Sequence, residues 1–191
     1  MKKIILVFLV VFLICVAMAL KSIAQDKSED SSSSKALIAY FSYTGNTQNI
    51  ANQISKLVGG DIFRIEPAKD YPQNIQEVLK MSKEEINNNY KPALKKKVNN
   101  LEQYEIIFIG TPNWYSTIAP PVASFLSEYD LSGKKVIPFL THGGGGKANC
   151  FTDMKKLIPD ATVLKGIAVF EGDINSSNQK LLEWLKEVKI L

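Results

Sequence analysis

The sequence predicts an α/β domain built on a doubly wound, five-stranded parallel sheet. Three observations carry this. From Lys35 onward, apolar runs alternate with amphipathic stretches, as strands alternating with helices do. Two of the runs, I-I-F-I at 106–109 and V-I-P-F-L at 136–140, are continuous and rich in branched residues, which suits strands buried on both faces. Three of the runs lead directly into loops rich in glycine, hydroxyl or aromatic residues. Open α/β sheets bind ligands at those strand ends.

The elements follow in order. A-L-I-A-Y-F gives a strand at Ala36–Phe41, and the polar, glycine-bearing S-Y-T-G-N-T ends it before an amphipathic helix at Thr47–Val58. D-I-F-R-I gives a strand at Asp61–Ile65, followed by a helix at Ile75–Asn87. The third strand is Ile106–Gly110, and its loop runs to the proline pair that opens a helix at Pro120–Tyr129. The fourth strand is Val136–Leu140, with a helix at Ala148–Leu157 beyond its glycine loop. A strand at Thr162–Phe170 and a helix at Ser176–Val188 complete the set. No internal repeat is present.

The chain ahead of this domain reads as an address. Met1-Lys2-Lys3 precedes 17 mostly apolar, uncharged residues, Ile4–Leu20. That pattern is a signal peptide or a short membrane anchor over residues 1–24. Ala24 and Ala19 close small-residue triplets suited to cleavage. Lysines ahead of the run place the following domain outside the cytoplasm. Residues 25–34, Q-D-K-S-E-D-S-S-S-S, contain no apolar residue and read as a disordered tether. The folded domain then spans 35–191, and any membrane contact runs through the N-terminal segment if it is not cleaved.

Composition excludes several classes. The formal charge is +4, but without residues 1–24 the chain holds 20 basic and 19 acidic residues. This is no nucleic-acid footprint, since that needs a clustered basic face. The densest basic stretch, Lys95–Lys97, reads as a solvated surface. Two cysteines, Cys15 and Cys150, and one histidine, His142, cannot build a disulfide framework or a Cys/His metal centre. Cys150 reads as a buried core thiol.

The chemistry-bearing residues lie in the three loops. Ser42, Tyr43, Thr44, Gly45, Asn46 and Thr47 place hydroxyls, an amide and a tight turn directly before a helix. Backbone N–H groups and the helix dipole there suit a phosphate. A plain N-cap is the simpler alternative. The loop has neither the G-x-x-x-x-G-K-[ST] nor the G-x-G-x-x-G spacing, so it is not a triphosphate or dinucleotide loop. Pro112, Asn113, Trp114 and Tyr115 follow the third strand. Their aromatics either stack on a planar ring or cover a helix end. Thr141, His142, Gly143, Gly144 and Gly145 follow the fourth strand, giving a close backbone approach to a ligand or merely a turn.

Together these loops resemble those of the flavodoxin family, over about Lys35 to Leu191. S-Y-T-G-N-T is similar to that family's phosphate loop, and G-T-P-N-W-Y and T-H-G-G-G-G to its two flavin-flanking loops. Tyr71-Pro72, Lys91–Leu94 and Tyr104–Gly110 match patterns of a bacterial flavodoxin-like subgroup. The resemblance implies a three-layer sandwich with strand order 2-1-3-4-5. It also implies noncovalent FMN, with residues 42–47 on the phosphate and residues 112–115 and 141–146 flanking the ring. The implied activity is electron transfer with an unidentified redox partner protein or small electron acceptor. Alternatives on the same fold are an NAD(P)H- or quinone-dependent FMN oxidoreductase and a flavin-free surface binding module. Two departures stand out. The domain is near neutral where the family's carriers are acidic, and His142 and Lys147 bring positive charge to a flavin loop, which is expected to raise the potential of the reduced flavin.

Overall fold

The computed structural model describes residues 35–191. The export or anchor segment at 1–24 and the tether at 25–34 lie outside the described residues. Strand β1, Ala36–Tyr40, is buried at all five positions. Its side chains alternate, so Leu37 and Ala39 join one apolar cluster while Ile38 and Tyr40 join another. A strand can be apolar on both faces only where both are covered. The remaining elements do that. In chain order they are α1 (Asn46–Val58), β2 (Asp61–Arg64), α2 (Ile75–Asn87), β3 (Ile106–Trp114), β4 (Thr117–Ile118), α3 (Pro120–Glu128), β5 (Lys135–His142), α4 (Cys150–Leu157), β6 (Thr162–Val163), β7 (Ile167–Phe170) and α5 (Asn178–Glu187).

The sheet order is β2-β1-β3-β5-β6, with β7 also on β5 and β4 folded back on β3. All pairings are parallel except β3–β4. With the small hairpin arm set aside, this is the expected five-strand order. Beneath one face, Val122, Phe125 and Leu126 of α3 and Met154 of α4 pack on Ile107, Ile109 and Val136. On the other, Ile50 and Ile54 of α1 and Leu181, Trp184 and Leu185 of α5 pack on Ile38, Phe108 and Ile137. The result is a three-layer α/β/α sandwich.

Two departures from the sequence reading have local causes. Residues 111–114 are not loop but strand: β3 continues to Trp114, turns through Tyr115 and Ser116, and returns as β4. Both turn residues have positive φ, 49° and 67°, the geometry of a two-residue hairpin turn normally signalled by Asn-Gly or Asp-Gly. The last strand, expected as one run, is two. Val136 accepts the Leu164 N–H at 2.9 Å, so Pro138, two residues on, faces the same neighbour. Proline has no N–H to offer. The last strand breaks after Val163 and resumes at Ile167 opposite Phe139. The Trp184 indole N–H reaches into the gap and donates to the Lys165 carbonyl at 2.8 Å.

Gly110 is fixed by packing. A Cβ there would lie 2.2 Å from Phe139 Cζ and 2.8 Å from Tyr40 Cβ, and Phe139 is fully buried. Gly110→Ala is expected to cost about 1–3 kcal/mol by overpacking, read as a lower urea midpoint. An unchanged midpoint would contradict this packing.

Among the described residues, one carboxylate is buried, Glu85 on α2, 7% exposed, and no lysine or arginine is. Its Oε2 accepts the Tyr71 hydroxyl at 2.6 Å. Burial pushes the Glu85 carboxyl up, outweighing the hydrogen bond from Tyr71 that lowers it. A carboxyl raised in the folded state contributes stability fully below the ordinary glutamate range and loses it as pH rises through the raised value. Glu85→Gln is therefore expected to flatten the fall in stability across that window, measured as urea midpoints against pH. A wild-type and variant difference that is constant with pH would contradict it.

Candidate functional site

The three predicted loops leave the same end of the sheet, because β1, β3 and β5 run parallel side by side. In the first loop, Ser42 is buried and its Oγ accepts the Gly45 N–H at 3.1 Å. Gly45 sits at φ 93° as the residue before α1. This left-handed geometry is where glycine serves best. Thr44 is exposed, whereas Thr47 is buried. Tyr43 reaches away from the loop, and its hydroxyl donates to the Pro72 carbonyl at 2.8 Å.

The start of α1 has no side-chain partner for its first N–H groups. Gly45 provides no side-chain cap, and the first turn contains no acid. The N–H groups of Asn46, Thr47 and Gln48 have no intrahelical acceptors by position. The first ladder bond is Asn49 N–H to the Gly45 carbonyl, at 2.9 Å. Among the described α-helices only α2 has a side-chain cap, Asn74 on the Gln76 N–H at 2.9 Å; α3, α4 and α5 have none, and α1 differs from them in its left-handed Gly45. A single N-cap, the simpler reading of Ser42–Thr47, is not what the structure shows. The loop leaves the helix end open to an outside acceptor. The Arg64 guanidinium, 3.5 Å from the Ser42 carbonyl, adds positive charge behind the loop. Arg64 was not singled out in the sequence, where an arginine ending an edge strand carries no signal.

The loops are tied to one another. Thr47 Oγ1 and Thr141 Oγ1 are hydrogen-bonded at 2.8 Å, both residues buried, which joins the first loop to the third. Asn113 Nδ2 donates to the Gly146 carbonyl at 2.8 Å, and Asn149 N–H donates to the Ser116 carbonyl at 2.9 Å. These join the second to the third. Pro112 lies opposite Thr141 in the β3–β5 ladder. Asn113 also lies close to Gly145, where a built Cβ would be 3.2 Å from Nδ2. Gly143 and Gly144 are exposed at the tip, and Gly143 faces Glu171.

Trp114 joins the first loop to the second. Its ring meets Phe41 at 5.4 Å, Tyr71 at 5.2 Å and Tyr43 at 6.4 Å, all edge-to-face. Each such contact contributes about 0.5–1.5 kcal/mol beyond burial. The indole is thus held by three rings rather than lying over a helix end. Tyr115 is 45% exposed, and its hydroxyl donates to the Leu79 carbonyl of α2 at 2.8 Å.

His142 Nδ1 accepts the Gly144 N–H at 3.1 Å, and the ring lies 5.9 Å from Phe170. Lys147 of the same loop is exposed. Cys150 is fully buried at the start of α4, and burial pushes its thiol up to about 12. It is an inert core residue at neutral pH.

Comparison with known proteins agrees with this arrangement. The sequence matches the Flavodoxin family profile over residues 35–188. Flavodoxin 1 of Escherichia coli K12 is 29% identical over 136 residues, which is 69% of this chain and 63% of that protein's length. This chain therefore spans less than two thirds of that relative. A Bacteroides eggerthii protein, solved as a candidate flavoprotein, is 33% identical with a TM-score of 0.67, covering 81% of this chain and 97% of the other. A Lactobacillus acidophilus flavoprotein, solved in complex with FMN, has a TM-score of 0.64 at 20% identity, covering 75% and 97%. That last likeness is one of fold. On the strength of a family match that runs from the first residue of β1's approach to the end of α5, this chain belongs to the flavodoxin family.

Proposed function

We propose that this chain binds FMN at the three tied loops and works as an electron-transfer protein. The observation that carries the reading is the open N-terminus of α1: left-handed Gly45, no side-chain cap and no acid in the first turn. Asn46–Gln48 present backbone N–H groups to the phosphate, and the helix dipole favours its charge. The Thr47–Thr141 bond holds that cradle against β5. Pro112–Tyr115 and Thr141–Gly145 would flank the ring, with Trp114 kept in place by Phe41, Tyr43 and Tyr71. FMN, when bound, supplies one- and two-electron transfer, while the protein supplies position and electrostatics. The apolar, lysine-led N-terminal sequence supports a place outside the cytoplasm, secreted or tethered. The electron donor and acceptor are then a redox partner protein or a small molecule met there.

The test is retention of flavin colour. Wild-type chain mixed with FMN and freed of excess is expected to keep absorption bands at roughly 375 and 450 nm, those of the flavin itself. Gly45→Asp places a carboxylate at the helix N-terminus, where it favours the helix but repels a phosphate. That variant is expected to bind FMN about 100-fold more weakly, as like-charge juxtaposition does. A colourless wild type would overturn the reading and favour a flavin-free surface module. Equal retention by both proteins would move the phosphate elsewhere.

A further inference from the structure

Behind the β3–β4 hairpin lies a cleft of about 340 Å3 that none of the predicted loop residues lines. Its size falls within the range of small-molecule sites. One wall is apolar, made by Ile118, Pro120, Ala123 and Leu157. Beside the exposed Asn89 amide, two ionisable groups remain available to a ligand. The first is Glu85. Its Oε2 is taken by Tyr71, and no donor among the described residues reaches Oε1. No side-chain polar atom that is buried in the described residues lacks a partner. Oε1 therefore meets solvent, and Glu85 is one of the residues that line the cleft. The second is Lys91, exposed on the same cleft with no ion-pair partner among the described residues.

The other charges of the cleft are already engaged. Asp153 accepts from the Thr117 hydroxyl and from Lys156, each at 2.8 Å. That leaves one hydrogen-bond acceptor on a buried carboxyl, one exposed cation, the Asn89 amide, and an apolar wall beside the Tyr90 ring, which is 55% exposed. A sugar would leave the apolar wall without a matching surface. An aliphatic acid would leave Glu85 Oε1 without a donor.

We propose that this cleft binds a small hydroxylated aromatic acid, with its ring on the Ile118, Pro120 and Leu157 wall, its hydroxyl donating to Glu85 Oε1 and its carboxylate paired with Lys91. The occupant adds a second donor to the carboxyl that holds Tyr71. Tyr71 in turn packs edge-on against Trp114 at 5.2 Å. Occupancy is thereby communicated to the second flavin loop. The cleft stands without the flavin reading, because its contacts use none of the cradle residues.

The experiment is calorimetric titration of the full-length chain with para-hydroxybenzoate, with and without FMN. One saturable site is expected under both conditions. Benzoate, which lacks the hydroxyl, is expected to bind about tenfold more weakly, the worth of a hydrogen bond to a charged group. Lys91→Glu is expected to weaken para-hydroxybenzoate about tenfold by charge reversal. Lys91 is exposed, so this variant leaves the packing untouched. Ala123→Trp is expected to abolish binding by filling the cleft. Absence of saturable binding would overturn the proposal. So would binding that both variants leave unchanged, or displacement of the probe by FMN, which would place it in the flavin loops. A chain that fails to retain FMN yet binds the probe as described would uphold the cleft and overturn only the flavin reading.

Discussion

The parallel register at the centre of the sheet is the constraint on which the rest depends. Tyr40 pairs with Gly110, Gly110 with Phe139, and Pro112 with Thr141. β1, β3 and β5 therefore leave the sheet at the same end, β3 and β5 running a few residues past Tyr40, and three loops far apart in sequence meet at one edge. Close spacing of these strands needs a residue without a side chain at Gly110, over which the Phe139 ring lies. The Thr47–Thr141 hydroxyl bond then converts proximity into attachment: helix α1 is anchored to the end of β5 across the end of the sheet. A buried hydroxyl pair specifies this geometry, because separating the two would leave each without the other as its partner.

The electrostatics of the candidate site come from the backbone more than from charged side chains. The helix dipole and unpaired N–H groups favour a phosphate without a lysine in the loop. Arg64, 3.5 Å from the Ser42 carbonyl, and Lys147 in the third loop carry positive charge beside them. With 19 basic and 16 acidic residues over 35–191, the domain has no strong single-sign field to steer a highly charged partner over distance. Recognition of a redox partner would then rest on local contacts beside the flavin loops, where Tyr115 and Leu79 are both exposed.

Much of this was legible in the sequence for identifiable reasons. The runs Ala36–Phe41 and Ile106–Ile109 are apolar on every residue, and only a sheet covered on both faces explains that. The glycine and hydroxyl pattern of Ser42–Thr47 marked the loop because backbone geometry demanded those residue types. What stayed hidden depends on tertiary neighbours. The hairpin through Tyr115 and Ser116 lacks the usual turn residues and is held instead by Asn149 and Leu79. Pro138 was visible, but its effect depends on which neighbour its missing N–H faces. The setting of Trp114 required Tyr71, 43 residues away in sequence, and Tyr71 in turn required Glu85. A glutamate on an amphipathic helix gives no sign that it will be buried.

In the proposed site an open helix N-terminus, and not ring contacts alone, selects the ligand. The most direct measurement compares the affinity of this chain for FMN with that for riboflavin, which differs only in lacking the phosphate. The account predicts that FMN binds at least about 100-fold more tightly, since several charge-assisted hydrogen bonds and the helix dipole are lost with the phosphate. Equal affinities would contradict it.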